Sequence, residues 1–496
     1  MTCMIETGNA RRMTSLGLAL LLTSSLLAAQ RAGAAPPDLT VGGVPDNNRT
    51  QNLGPTGARA WIYCDGTVNL TTESRQFLIT EIDPGSPADG VLAVDDVILG
   101  ADGTGAPPTL FTNDARHALA RAIADAEARS PATLRLLYWR AGATNEYQLT
   151  LQTIGAYSPT APYDCPKSSN ILARGMQQIY DNEDSGRYNY GALALLAWTN
   201  TAYYGRVQTE MRDLVPDPDE RAEMMSDQRS TANCWERGHK LLVLSEYYLA
   251  TGDTNVLPGI EARATEFARN QSMFGTVGHM FADKHPDGSD NWKMGGVYGV
   301  INNPGLLGFL GILLAERCGV TNPYIAPAIE RTSRFFSYYA GRGSIPYGEH
   351  VAWIGRNGGA NGKDALAALA FSLQTNRVTE SRYFSKVCAS ASRGRESGHT
   401  GPYFEYLWGP LGANAGGGEA TISFFDRIKW HLDLQRRWDG SFAYDNLASD
   451  GGAGNGTRYY DFSMTGAAML TYAIPYGRLH ITSTNQSPPQ VLGTND

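Results

Sequence analysis

Hydrophobic and polar positions follow two different patterns along the chain, and the pattern changes near residue 160. Before that point, short apolar runs such as Phe77–Ile82 end in turns rich in Asp, Pro and Gly, which predicts strands. One amphipathic stretch, Asn113 to Arg129, predicts a helix with Asn113 as its N-cap. Beyond residue 166, segments that are apolar on all sides alternate with amphipathic ones, which predicts paired helices.

The other strands predicted in the first part are short and close to one another. One consists of Val91-Leu92 and then Asp95 to Leu99, and it ends at Gly100. The other two, residues 134–139 and 146–151, are joined by residues 140–145. Together with the single helix, these strands predict a small α+β domain over residues 50–155.

The second part repeats at intervals of a helix pair. Residues 192–197, 241–244, 306–314 and 365–370 are apolar on every side, whereas 259–270 and 325–339 are amphipathic. Helices are predicted to begin near Gly191, Arg237, Asn302, Gly362, Gly418 and Thr465. A spacing of roughly 45–65 residues is typical of helical hairpins, which predicts an all-α domain over residues 166–481. A solenoid open at both ends is the alternative.

The first 34 residues have the features of an export signal. Arg11 and Arg12 precede an apolar run from Leu16 to Ala29, and Ala32-Gly33-Ala34 offers a cleavage site. We predict a signal peptide over 1–34, linkers over 35–49 and 156–165, and a flexible tail over 482–496. The alternative to cleavage is an uncleaved anchor. After cleavage no stretch is long and apolar enough to span a membrane, so the protein is expected to be secreted or periplasmic.

Charge and cysteine content exclude several classes of function. The net charge is −8 with a pI of about 5.6, which gives no indication of a nucleic-acid partner. Five cysteines remain after cleavage, without a C-x-x-C pair, so a disulfide framework and a thiolate zinc site are both disfavoured. Buried free thiols are expected, with a single disulfide as the alternative.

The run ITEIDPGSPADGVLAVDDVILGADG resembles the PDZ family, as found in bacterial export-compartment proteases. The resemblance implies that Gly54 to Ala60 forms the carboxylate-binding loop, although the usual G-L-G-F is absent, and that the strand beginning at Trp61 pairs with an added peptide. The peptide-binding residues it implies are Gly54, Gly57, Ala58, Arg59, Ala60 and Trp61. His117 occupies a position where some PDZ domains contact a ligand hydroxyl; solvent exposure is the interpretation we favour. A domain that has lost its ligand and packs against its neighbour is the alternative to peptide docking.

Two segments of the helical part resemble hairpin turns of α/α toroids. The first is residues 247–253. The second, Gln435 to Phe442, is similar to the Q-x-x-W and D-G-[SG]-F turns of terpenoid-cyclase toroids. Such toroids also occur in glycoside hydrolases and polysaccharide lyases. A PDZ domain followed by a toroid resembles a family of secreted bacterial proteins of unknown function, in which stretches like 345–350 and 398–401 recur. The fold class expected is therefore multidomain: an α+β PDZ domain followed by an α/α toroid.

Glycine makes up 55 of the 496 residues, and many lie in stretches next to the apolar helices, at 295–305, 355–362, 398–418 and 451–456. In a toroid, loops at the inner-helix N-termini meet at one mouth of the central cavity, where free N–H groups favour anionic ligands. The aromatic residues expected to bind sugar there are Trp353, Trp408 and Trp438, together with the amide of Asn361.

Two chemistries are open at that mouth. Hydrolysis of a glycoside needs two carboxylates, for which Glu349, Glu405, Glu419 and Asp439 are the candidates. A lyase would use His399 or Tyr403 to take the proton next to a uronate, with His350 and Asn361 neutralising its carboxylate. The sequence does not choose between the two.

A polar loop from His279 to Asn291 has donors for calcium or zinc, but it lacks a full EF-hand or H-E-x-x-H pattern, so a solvated loop is favoured. No cofactor and no metal are predicted. The leading hypothesis is an exported enzyme that acts on a glycan, with the PDZ domain docking a peptide or protein partner. The alternative is a non-catalytic scaffold that binds proteins.

Overall fold

The computed structural model describes residues 38–40, 43–46, 50–63, 73–226, 230–284, 291–294, 299–354, 362–390, 403–444 and 462–482. It has two regions, an N-terminal antiparallel sheet with one helix and a C-terminal region of helices. The two-part organisation predicted from the hydrophobic pattern is thus confirmed at this level. The signal peptide, most of the tail and Cys64 lie outside the described residues.

The N-terminal sheet has seven strands. Six of them follow the order β1-β2-β3-β4-β6-β7, and β5 pairs with β4. The strands are β1 (Thr50–Asn52), β2 (Ala58–Ile62), β3 (Phe77–Ile82), β4 (Val97–Asp102), β5 (Thr109–Leu110), β6 (Thr133–Arg140) and β7 (Ala143–Thr150). The predicted strand at 77–82 is confirmed, and β6 and β7 form a hairpin through Ala141 and Gly142, both with positive φ.

Two local predictions in this region were wrong. Helix α1 (Ala115–Glu127) is capped by Asp114 rather than Asn113, because the Asp114 carboxylate accepts a hydrogen bond from the N–H of Arg116. Val91 and Leu92 lie in a turn before β4, where the carboxylate of Asp96 accepts the N–H of Ala93 and the strand starts only at residue 97.

Fourteen α-helices lie in the described residues, thirteen of them in the C-terminal region. The thirteen are α2 (Pro166–Asn182), α3 (Tyr190–Ala197), α4 (Tyr204–Asp213), α5 (Pro218–Met225), α6 (Cys234–Thr251), α7 (Leu257–Arg269), α8 (Asn302–Arg317), α9 (Ile325–Ser337), α10 (Lys363–Ser372), α11 (Val378–Ser390), α12 (Tyr403–Asn414), α13 (Gly418–Gln435) and α14 (Met464–Ala473). A short hairpin, β8 (Ala282–Lys284) with β9 (Asn291–Met294), lies between α7 and α8. No described helix is both long enough and apolar enough to cross a bilayer.

Six helices of this region contact one another in a closed circuit. α3 contacts α6, and the contacts continue through α8, α10, α12 and α14, which returns to α3. Every residue of α3 and α12 is buried; the all-apolar pattern of residues 192–197 predicts this for α3, whereas α12 also buries Glu405 and Asn414. The predicted helix start near Gly418 is confirmed by α13, but α12, which precedes it and belongs to the circuit, is not among the predicted helices.

Four charged side chains are buried where the sheet region meets the helices. Arg436, one residue beyond α13, donates to both oxygens of Glu127 at the end of α1, at 2.6 and 2.8 Å. Lys167 in α2 lies 2.9 Å from Glu127 and 3.7 Å from Asp433. None of the four is more than 4% exposed. We call these residues the buried ion network; its two cations and two carboxylates join α1, α2 and α13.

Further contacts surround this network. The carbonyl of Leu434 accepts a hydrogen bond from the side chain of Asn52, and the Leu434 side chain belongs to the core of the sheet region. The ring of Trp430 packs on His117, with centroids 4.0 Å apart. The end of α13 is therefore part of both cores.

The four cysteines within the described residues, Cys165, Cys234, Cys318 and Cys388, are buried and free, as expected. They fill apolar space in the helical core, so packing accounts for their burial.

We predict that Arg436→Met destabilises the protein by about 3–5 kcal/mol, because it leaves the buried Glu127 with one cation instead of two. Urea unfolding followed by circular dichroism measures the change. The control is the next residue, Arg437, which pairs with Asp83 but is 38% exposed, so Arg437→Gln should cost at most about 1 kcal/mol. If both variants lost the same free energy of unfolding, burial of the network would not contribute to the stability of the protein.

A second prediction concerns close packing between α7 and α8. A Cβ at Gly308 would overlap the ring of Phe267, so Gly308→Ala should destabilise the protein by roughly 1–3 kcal/mol. Gly205 in α4 has no heavy atom within 4 Å of the equivalent position, so Gly205→Ala should stabilise it by up to ~1 kcal/mol. Thermal unfolding compares both variants with wild type, and a stabilising Gly308→Ala would contradict the packing.

Candidate functional site

Five aromatic and imidazole side chains meet near the N-terminal ends of helices in the circuit. Tyr188 and Tyr190 stand at the start of α3, His239 lies in the second turn of α6, and Phe404 and Trp408 lie one turn apart in α12. We call these residues the aromatic cluster. Because α12 does not neighbour α3 or α6 in the circuit, the cluster joins helices across its interior.

The imidazole of His239 is at the centre of the cluster. It stacks on Tyr188 with ring centroids 3.9 Å apart, and it faces Phe404 at 6.0 Å. Its Nδ1 is hydrogen-bonded to the hydroxyl of Tyr190. Tyr190 also packs edge-on against Trp408, with centroids 5.7 Å apart.

Two polar atoms of the cluster have no hydrogen-bond partner in the part of the chain that the structure describes. They are Nε2 of His239 and Nε1 of Trp408, and both side chains are fully buried. Buried polar groups are nearly always hydrogen-bonded, so each of these atoms is a candidate for contact with a ligand.

Burial keeps the His239–Tyr190 pair neutral. It lowers the pKa of His239 well below its usual value, and the positive charge of Arg187 acts in the same direction. Burial also raises the pKa of Tyr190 well above its usual value, as do the neighbouring Tyr403 and Tyr188. At neutral pH both side chains are therefore uncharged, and the pair holds one phenol proton and one imidazole proton.

A buried lysine lies at the start of α10. Burial lowers the pKa of Lys363 to about 8, although the charges of Asp364 and Glu405 oppose the shift. Its Nζ lies 5.2 Å from the centre of the Trp353 ring. Gly362, just before it, has a φ of +67° and no room for a side chain against the carbonyl of Phe404, which explains the glycine.

The four carboxylates predicted for hydrolysis have different local partners. Glu405 is fully buried and accepts the N–H of Gly362, and Glu349 accepts the N–H of Val300. Glu419 lies in the first turn of the outer helix α13. Asp439 accepts from Ser441 at the junction with the sheet region, where its own carbonyl accepts from the side chain of Gln178.

Of the other predicted catalytic and sugar-binding residues, Trp408 belongs to the aromatic cluster and Tyr403 packs against Phe404 on α12. His350 is exposed, and its carbonyl accepts a hydrogen bond from Tyr339. The hydroxyl of Tyr403 donates to the carbonyl of Ser463. The indole of Trp438 donates to Asp83 in the sheet region. His399 and Asn361 lie outside the described residues, so their roles stay predictions.

The predicted peptide-binding segment contacts the chain itself. Residues 59–61 of β2 pair with β1 on one edge and with β3 on the other, so this part of the strand has no free edge. Gly54 lies against the backbone of Asp433, and Gly57 lies against Trp438. Ala58, Ala60 and Trp61 are buried, whereas Arg59 donates to Thr50. His117 is exposed, as expected, although one face of its ring covers Trp430.

A family model described as a domain of unknown function (DUF6288) matches residues 168–483, which is more than half of the chain. The chain belongs to the DUF6288 family. The match covers nearly all of α2 and the whole of α3 to α14, so the aromatic cluster lies inside the DUF6288 domain and the sheet lies outside it. A search of curated proteins found no match to the chain.

The sequence interpretation missed the central residues of the DUF6288 cluster, His239 and Tyr190. A signal for them exists: each is a titratable residue in the first two turns of a helix that buries mostly apolar side chains, although α6 also buries Ser245 and Glu246. In the polar loop from His279, for which a solvated loop is the prediction, His279 accepts a hydrogen bond from the indole of Trp235 at 3.0 Å, and residues 285–290 lie outside the described residues.

We predict a pH dependence of stability that comes from Lys363. Its pKa is lower in the folded chain than in the unfolded one, so the unfolded state binds more protons between pH 8 and 10.5 and stability rises with pH across that window. Between pH 8 and 10.5 the free energy of unfolding of the wild type should increase by roughly 2–4 kcal/mol more than that of Lys363→Met. Unfolding in urea at several pH values measures the slope. The control is Lys386→Met, at an exposed position of α11, which should keep the wild-type slope of unfolding free energy against pH. If Lys363→Met kept that steep slope as well, groups other than Lys363 would cause the pH dependence.

Proposed function

We propose that this DUF6288 protein is an exported enzyme that cleaves a uronate-containing glycan by β-elimination, with the reaction at the aromatic cluster. The observation that carries the proposal is the neutral His239–Tyr190 pair, with its unpartnered Nε2 among the described residues, surrounded by aromatic rings.

The helical region fits an α/α toroid. Its six buried helices form a closed circuit of contacts, whereas an open solenoid would leave its first and last helices apart. In a ring of alternating inner and outer helices, the segments that enter the inner helices lie at one end. The cluster residues lie in, or just before, the first two turns of α3, α6 and α12, which supports a position at that end.

The chemistry of the pair suits removal of a proton from carbon. When Nδ1–H donates to the oxygen of Tyr190, Nε2 carries a lone pair and is a general base. Such a base removes the proton from the carbon next to a uronate carboxylate, a carbon–carbon double bond forms, and the bond from the adjacent carbon to the glycosidic oxygen breaks, with that oxygen taking a proton from water. Arg187, whose charge reaches His239, is the nearby cation for that carboxylate. Rings such as Tyr188 and Phe404 supply faces for the apolar side of a sugar.

Elimination is favoured over hydrolysis because of where the carboxylates lie. A glycosidase needs two carboxyl groups that flank one bond. Glu405 and Glu349 instead bind backbone N–H groups, and Glu419 and Asp439 lie on α13 and at the domain junction. A base made of imidazole and phenol has no such requirement.

For the N-terminal region we propose a PDZ-type domain that has become a fixed part of the enzyme. Its groove side is in contact with the end of α13, and residues 59–61 of β2 are paired on both edges. These contacts support the alternative in which the domain packs against its neighbour over the one in which it docks a free peptide.

We predict that the purified protein generates unsaturated uronate ends from at least one polyuronate or glycosaminoglycan, measured by the ultraviolet absorbance of the product. His239→Gln should lower kcat by about 100-fold or more, because it removes the general base. Tyr190→Phe should also lower kcat, since it removes the hydroxyl that orients the imidazole.

The matched control is Tyr338→Phe at an exposed position of the same protein, which should keep full activity. Circular dichroism establishes that each variant is folded. Full activity in His239→Gln would remove this residue from the reaction. Reducing ends without unsaturated product would indicate hydrolysis, and a folded wild type inactive on acidic and neutral glycans would favour the scaffold alternative.

A further inference from the structure

A pocket lies at the ends of the circuit helices opposite to those that carry the aromatic cluster. It has a volume of about 680 Å³ and is lined by the C-terminal ends of α8 and α10, part of α11 and the turn before α13. A pocket of this size accommodates a small organic molecule.

The charged groups that line this pocket are two arginines, Arg317 and Arg382, and no carboxylate lines it among the described residues. His480 also lines it, but burial lowers the pKa of its imidazole, as does the charge of Arg317. Arg317 also donates to the carbonyl of Leu373, which fixes its guanidinium at the rim. Two guanidinium groups in one cavity are well suited to hold an oxyanion through paired hydrogen bonds.

The start of α13 adds donors to the same wall. Gly417 precedes the helix with a φ of +104°, and no side chain caps the free N–H groups of the first turn. The space beside Gly417 is open, since no heavy atom lies within 4 Å of where a Cβ would stand. The helix therefore contributes to a site that the two arginines define.

The apolar residues Leu373, Val378 and Ala415 also line the pocket, as do the polar residues Ser372, Gln374, Thr375 and Ser381. From this combination we infer that the pocket binds a small organic phosphate, with the phosphate group at Arg317 and Arg382 and an apolar body against Leu373 and Val378. The inference is independent of the reaction at the aromatic cluster.

Isothermal titration of the full chain with phenyl phosphate, inorganic phosphate and phenol tests the site. Phenyl phosphate should bind, inorganic phosphate should bind at least about tenfold more weakly because it lacks the apolar body, and phenol should show no binding. Arg382→Gln should weaken phenyl phosphate binding by about tenfold or more. The matched control, Arg342→Gln, removes an exposed arginine that stacks on Tyr338 and should leave the affinity unchanged.

Binding of phenyl phosphate with the expected losses would support the pocket. Three results would overturn it: no binding of phenyl phosphate to the wild type, equal affinity in Arg382→Gln, or equal affinity for inorganic and phenyl phosphate. Because Arg382 is exposed, its substitution is expected to leave the fold intact, and circular dichroism verifies this.

Discussion

The buried ion network fixes the arrangement of the two regions. Burial alone favours the protonated form of Glu127, but the charges of Arg436 and Lys167 hold its pKa below the usual value, so it remains a carboxylate between two cations. Burial raises the pKa of Asp433, the fourth member, and the hydroxyl of Tyr157 donates to that carboxyl group. Removing any one charge would leave the others buried and uncompensated. The sheet region is therefore held on the helices by charge balance as well as by apolar contact.

This constraint explains why the side of the sheet region that carries α1 is covered by the end of α13. The residue that pairs with Glu127 follows directly after α13, so the end of that helix must lie against α1. Leu434 then enters the sheet core, and Trp430 packs under His117. A peptide in the same place would have to displace residues whose position is set by the network. A stable contact between α13 and α1 and an open peptide site at the same place thus exclude each other in this chain.

Much of the fold could be predicted from the sequence because its helices and strands carry strong periodic patterns. Strand β3 and the apolar helices were placed within a few residues by burial pattern alone. Helix α12 was not predicted because it lies in the glycine-rich stretch 398–418 and itself contains two glycines and a proline. The aromatic cluster was harder to predict. His239 lies inside a helix, and only the tertiary structure brings it to Tyr190 and Phe404.

Three carboxylates bind backbone N–H groups near the glycine-rich stretches, a structural role that the sequence analysis does not predict. Glu349 in a loop, Asp364 in α10 and Glu405 in α12 accept the N–H groups of Val300, Ile345 and Gly362, all in segments around the starts of α8 and α10. Glycine-rich segments have a large conformational entropy to lose, and a charged acceptor is a strong way to fix them. Carboxylates committed to the backbone in this way are poor acids and bases for a substrate. The proton chemistry then falls to groups that burial keeps neutral, which in the described part of the cluster are an imidazole and a phenol.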